Sequence, residues 1–209
     1  MVMEGADTKP YGGILISGAR TSLLHGIPSN KAIEYGDFVL MDYGCQYKGY
    51  LSDMTRTVAK AVTAQAVETA GYDSLDAAKE DGTAFVFMGH GTSHTAKVSY
   101  SQMQTQMQVL GYDNVFIGTV EGEPEETSCE AIIEAVKNAG YKKVILRPLM
   151  VVAGDHANND MAGEDEDSWK SLFENSGFFE QVDVQIAGLG GIEAIQQIYV
   201  DHTAAVIDK

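Results

Sequence analysis

Ala84-Phe85-Val86-Phe87-Met88-Gly89-His90-Gly91 is the stretch on which the fold turns. Five consecutive apolar residues closed by a Gly-His-Gly turn read as a short strand buried on both faces, as in a parallel sheet covered by helices. The pattern continues downstream. Residues 98–110 have helical spacing, with Met103 and Met107 four apart and Gly111 as the stop signal. Asn114-Val115-Phe116-Ile117-Gly118-Thr119-Val120 is the next strand. Residues 127–139 form an amphipathic helix on Ile132, Ile133 and Val136, ended by Gly140. A third strand is expected over 143–152, with Pro148 disturbing its ladder. A helix starts at Ser168-Trp169, a fourth strand covers 182–186, and a last helix covers 192–207. Four rounds of strand and helix predict an α/β fold with a four-stranded parallel sheet and helices on both faces.

Upstream the character changes. Residues 61–81 look helical with a break at Gly71, but 12–58 read as β structure. Ile14-Leu15-Ile16-Ser17 is one run, and Asp37-Phe38-Val39-Leu40-Met41-Asp42-Tyr43 is another, closed by Gly44. A third run over 47–50 follows across a short turn, so strand, turn, strand is expected there. Charge divides at the same place. The 209 residues carry 30 acids and 14 Lys plus Arg, a net charge of −16. Residues 1–60 are balanced at six of each, so the whole excess lies in 61–209. The sequence is expected to comprise two units, a small β-rich segment at 1–60 and an α/β lobe at 61–209.

This balance supplies no basic face for phosphates, so nucleic acid is not expected as a partner. No apolar run approaches the roughly 20 residues that span a bilayer, and the N-terminus has no signal-peptide pattern. Cys45 and Cys129 are too few for a disulfide framework and read as buried thiols. A cytoplasmic protein is expected.

In an open α/β sheet, function concentrates beyond the carboxyl ends of the strands. His90 follows the first strand, Glu121 the second, and His156 comes four residues after the third strand's last valine. Two imidazoles and one carboxylate at one edge would make a three-ligand divalent metal site with open positions, suited to cobalt, nickel or zinc. Plainer readings stand beside it. His90 can be a turn residue, Glu121 a solvated acid in Glu-Gly-Glu-Pro-Glu-Glu, and His156 an N-terminal helix residue bonded to Asp155. His94 reads as exposed or as an outer partner of the site, and His202 as surface or core edge. Met103 and Met107 read as packing.

Phe-Val-Phe-Met-Gly-His-Gly-Thr-Ser-His (85–94), Gly-Thr-Val-Glu-Gly-Glu-Pro-Glu (118–125), Arg-Pro-Leu-Met-Val-Val-Ala-Gly-Asp-His-Ala-Asn-Asn-Asp-Met-Ala (147–162) and Asp-Ser-Trp-Lys (167–170) resemble the anaerobic sirohydrochlorin cobaltochelatases of cobalamin biosynthesis. The resemblance covers about residues 62–207. It implies a flavodoxin-like lobe, insertion of Co²⁺ into sirohydrochlorin without ATP, and His90, Glu121 and His156 as cobalt ligands. It also implies His90 and Glu121 as catalytic residues, with His90 taking protons from the tetrapyrrole. Ni²⁺, Fe²⁺ or Zn²⁺ would be surrogate metals. The family's first lobe would have to lie ahead of this segment, and about sixty residues are too few for it.

Those sixty carry a different resemblance. Ile-Ser-Gly-Ala-Arg-Thr-Ser-Leu-Leu-His-Gly (16–26), Tyr-Gly-Asp-Phe-Val-Leu-Met-Asp-Tyr-Gly (35–44) and Gly-Tyr-Leu-Ser-Asp-Met-Thr-Arg-Thr-Val (49–58) resemble the pita-bread metallopeptidases, the Xaa-Pro aminopeptidase and prolidase group. There Asp42 and Asp53 would be two of five ligands to a metal pair, and His25 would touch substrate. The other ligands have no counterpart in the chain. The expectation is a chimera whose retained lobe binds a divalent metal. Its tetrapyrrole pocket would lack one wall, leaving an apolar cleft that favours a homo-oligomer. A non-catalytic metal-binding module and a metallopeptidase are the alternatives.

Overall fold

The structure, a computed structural model, describes residues 14–17, 39–42, 45–47, 50–52 and 55–207. It divides into two compact units, Met1–Met54 and Thr55–Lys209. In the first, β1 (Ile14–Ser17) pairs antiparallel with β2 (Val39–Asp42), and β3 (Cys45–Tyr47) with β4 (Tyr50–Ser52). The pairing differs from the expected one. The 39–42 run joins Ile14–Ser17 rather than the segment after Gly44, and the hairpin reverses between Tyr47 and Tyr50. Gly49, read as a weak point inside a strand, lies outside the described residues.

The second unit holds α1 (Thr55–Thr69), α2 (Leu75–Glu80), β5 (Thr83–Gly89), α3 (Val98–Val109), β6 (Val115–Thr119), α4 (Cys129–Asn138), β7 (Lys143–Pro148), α5 (Trp169–Asn175), β8 (Gln181–Val184) and α6 (Glu193–Ile207). The four strands form one parallel sheet in the order β6-β5-β7-β8. The first strand of the lobe therefore lies inside the sheet, with its two successors on opposite sides. This is the doubly wound arrangement, and it opens a crevice where the winding reverses.

Alternation along β5 and β7 separates two cores. Phe85, Phe87 and Ile145 pack with Ala59, Val62 and Ala66 of α1, Met103 and Met107 of α3, and Ile195 of α6. Ala84, Val86, Met88, Val144 and Leu146 pack on the other face with Ile132, Ile133 and Val136 of α4 and with Trp169 and Phe173 of α5. Phe85, Val86, Phe87 and Met88 are each 0% exposed, which is why this strand reads as a continuous apolar run. Burying each such side chain contributes about 1.5–3 kcal/mol. Ser128 and Ser168 start α4 and α5 by accepting from the amides of Ala131 and Ser171.

β7 ends at Pro148, short of the expected residue 152. Leu149 still donates to the Met88 carbonyl at 2.7 Å, on the β5 side. The nitrogen of Pro148 faces the β8 side, beyond the last β7–β8 pair at Leu146 and Val184, so its missing proton breaks no ladder bond. Among the described residues no helix is long and apolar enough to cross a membrane.

Candidate metal centre

The reversal of winding falls between β5 and β7. His90 directly follows β5, while His156 lies at the head of a π-helical turn (Ala157–Met161) reached by the loop after β7. The sequence placed His156 four residues past its strand; with β7 ending at Pro148 it is eight residues past. The loop nevertheless returns it to His90. The two imidazoles meet edge to face, with centroids 4.7 Å apart and planes at 82°. A divalent ion about 2.1 Å from one nitrogen of each ring would hold the ring centres roughly 4.5–5.2 Å apart, for ligand angles from square to tetrahedral. The observed spacing falls within that interval.

Hydrogen bonds determine which nitrogens are free. Nδ1 of His90 lies 3.0 Å from the Gly91 carbonyl oxygen, and Nδ1 of His156 lies 2.5 Å from Oδ2 of Asp160. Both oxygens only accept, so both Nδ1 atoms carry a proton, and in a neutral ring the Nε2 lone pair is then available. His94 is the opposite case. Its Nδ1 accepts from the Ala96 amide at 3.1 Å and starts a short 3₁₀ turn, which leaves the proton on Nε2. His94 is exposed and serves as a helix cap.

The Gly-His-Gly turn has a steric reason on each side. Gly91 adopts φ +92°, and a Cβ there would lie 2.8 Å from Cβ of Glu121 and 3.1 Å from Cβ of Thr119. At Gly89 a Cβ would collide with the ring of Tyr100. The Tyr100 hydroxyl in turn accepts from the Gly91 amide at 2.9 Å. These contacts clamp the backbone that carries His90.

Glu121 sits beside this turn through its backbone, donating its amide to the His90 carbonyl at 3.0 Å. Its side chain is exposed. Among the described residues no group of three or more His, Cys, Asp or Glu is gathered as a metal cluster. The two histidines are thus brought together, while Glu121 is a backbone neighbour whose carboxylate is free to turn in solvent. Asp155 is not the partner of His156; its Oδ1 accepts from Asn159 at 2.7 Å. Asp160 was the residue that sequence reasoning missed. Its signal was the i, i+4 spacing from His156, which carries meaning only once the segment is helical.

The surroundings are acidic. Residues 121–130 and 155–167 hold eleven acids and no Lys or Arg, and Glu164, Asp165, Glu166 and Asp167 are all exposed. The Glu126 carboxyl is held below its ordinary value by its own backbone amide and then by Ser101. Lys97 is paired with Glu123 at 2.8 Å. Lys142 and Lys143 lie at the opposite end of β7, Lys143 paired with Asp81. Arg147 is buried at 1% exposure. On the peptidase-like side, Asp42 ends β2, whereas His25 and Asp53 lie outside the described residues.

Comparison with known proteins follows the same division. A family model described as "Cobalt chelatase (CbiK)" matches residues 41–208, beginning earlier than the motifs at 62. The sirohydrochlorin cobaltochelatase of Salmonella typhimurium is 40% identical over 117 residues, covering 56% of this chain and 42% of that protein. Sirohydrochlorin cobaltochelatase CbiKC of Nitratidesulfovibrio vulgaris is 36% identical over 133 residues, covering 64% and 45%. A short stretch resembles peptidases: YqhT of Bacillus subtilis, an uncharacterized peptidase, is 54% identical over 59 residues, 28% of this chain and 17% of that one. The chain spans less than half the length of either cobaltochelatase.

Proposed function

The chain belongs to the cobalt chelatase family, and on that premise we propose that its α/β lobe inserts Co²⁺ into a sirohydrochlorin-type tetrapyrrole. The observation that carries this reading is the meeting of His90 and His156 at the winding reversal, each with Nδ1 against an accepting oxygen. Two neutral imidazoles suit a borderline divalent ion, and Glu121 is the third ligand once its side chain turns toward them. Ni²⁺, Fe²⁺ and Zn²⁺ are accepted by the same donors. The metal is substrate here, so a site with open positions has a purpose: it must give the ion up.

Insertion exchanges two pyrrole N–H protons for one divalent cation: the ion's bonds to the protein are replaced by bonds to the ring nitrogens, and the two protons leave to a neighbouring base and to water. A base beside the ring nitrogens is the chemical requirement. Exposed His90, with its free Nε2, takes that role as the ion passes to the macrocycle. The acidic surround concentrates a dication near the cleft. Val98, Val151, Val152 and Ile186 are each at least half exposed on segments leaving this same sheet edge, and they offer apolar area to a flat ring. That uncovered area also supports association with a second copy. The unit ahead of this lobe, Met1–Met54, is the peptidase-derived part, with Asp42 and Asp53 the remnant of a larger ligand set. A buried free thiol at Cys129 fits the reducing cytoplasm.

Mixing the protein with Co²⁺ and sirohydrochlorin and following the tetrapyrrole absorbance tests this reading. A spectral change faster than the uncatalysed reaction, and lost in His90→Ala, is the expected result. Cobalt binding without any such acceleration would establish the chain as a non-catalytic metal-binding module instead.

A further inference from the structure

We propose that Asp160 is a positioning residue that locks His156 in the Nδ1–H tautomer and thereby presents Nε2 to the metal, making the two histidines unequal ligands. The proposal rests on the metal-site reading above. Three observations carry it. The Asp160 carboxylate lies 2.5 Å from Nδ1 of His156, one helical turn further along the same segment. The turn bearing Asp160 is anchored by Ala157 and Met161, both 0% exposed, so its backbone is set by the core while the carboxylate stays 46% exposed. The neighbouring acid, Asp155, is taken by Asn159, which leaves Asp160 as the carboxylate for this ring.

His90 lacks such a partner. Its Nδ1 meets only the backbone carbonyl of Gly91, at 3.0 Å. A bond to an ionised acceptor is stronger than one to a neutral carbonyl and raises the electron density at the distal nitrogen. His156 is therefore the firm anchor of the ion. His90 is the ligand that lets go first, which frees it to accept a proton. A π-helical turn at this position fits the frequent placement of such turns at functional sites.

The test combines a metal-free and a metal-bound measurement on the full chain. Long-range ¹H–¹⁵N correlation spectra at about pH 8, where imidazole is neutral, report the tautomer of each histidine without any metal. Wild-type His156 is expected as Nδ1–H. Asp160→Ala is expected to shift it toward Nε2–H, and Asp160→Asn to preserve Nδ1–H, because the amide oxygen still accepts. Co²⁺ affinity, by titration calorimetry, should fall about 10- to 100-fold in Asp160→Ala and only a few-fold in Asp160→Asn. An unchanged His156 tautomer in Asp160→Ala overturns the proposal. The metal-site reading is tested separately by His156→Ala: unaltered Co²⁺ affinity there overturns that reading, whatever the tautomer spectra show.

Discussion

The imidazole rings of His90 and His156 stand edge to face 4.7 Å apart, although one follows the lobe's first strand and the other the turn after its third. The strand order produces this contact. Because β5 and β7 are sheet neighbours while β6 lies on the far side of β5, chain leaving β5 and chain leaving β7 share one crevice. Glu121, leaving β6, reaches the same turn by a backbone bond to His90.

Gly91 should be irreplaceable on steric grounds. An alanine there would have to adopt φ near +92° with its Cβ against Glu121 and Thr119. Gly91→Ala is expected to destabilise the fold by at least about 1–2 kcal/mol, read as a lower urea midpoint, and to weaken Co²⁺ binding through the displaced His90. An unchanged midpoint together with unchanged affinity would show that the turn is not clamped.

Arg147 is a buried cation that meets a neutral partner: Nη1 donates to Gln185 at 2.8 Å, and Nε has no partner. Burial lowers its pKa. Among the described residues no carboxylate pairs with it. A long apolar replacement removes that desolvation cost, and such exchanges are often neutral or stabilising by about 1–4 kcal/mol. Arg147→Met is therefore expected to keep or raise the unfolding midpoint. A large drop would mean that the guanidinium has a partner of opposite charge.

Cys129 should be unreactive. Its thiol begins α4 inside the core, and burial, followed by the nearby Glu130 charge, pushes its pKa far above the ordinary thiol value. Thiolate is the reactive form. Peptide mapping after iodoacetamide treatment should find Cys129 unmodified in the native protein and modified in denaturant. Rapid native labelling would contradict the packing of α4 on the sheet.

Acid should weaken the end of the sheet opposite His90 and His156. The Asp81 carboxyl is held below its ordinary 3.8, first by the hydrogen bond from Lys143 and then by that from Tyr72. The folded state thus binds this proton less readily than the unfolded state. The stabilisation is complete above the ordinary carboxylate range and disappears as pH falls through the folded-state value. Asp81→Asn should flatten the dependence of the unfolding midpoint on pH below about 4. Equal slopes in variant and wild type would remove Asp81 from the account.

Some of this was legible in the residues and some was not. The runs at 84–88 and 114–120 could be read as strands because burial on both faces leaves an uninterrupted apolar signature, and the His and Glu after them follow directly. Strand order leaves no such trace, since periodicity records which faces are buried but not which strand is the neighbour. That is why the convergence of His90 and His156 could be expected but not placed. The 39–42 run was matched to the wrong partner for the same reason, and Asp160 stayed hidden because Ala-Gly-Asp-His-Ala-Asn-Asn-Asp gives no helical period. The charge asymmetry, by contrast, was plain from composition, and eleven of the acids fall in the two stretches that adjoin Glu121 and His156.

Calorimetric titration of the full chain with Co²⁺, beside the His90→Ala, His156→Ala double variant, addresses the two-histidine site directly. Wild type should bind about one ion, and the double variant should lose on the order of 100-fold or more in affinity while keeping the wild-type unfolding midpoint to within about 1 kcal/mol. Undiminished Co²⁺ affinity in the folded double variant would contradict the assignment of the metal to this crevice.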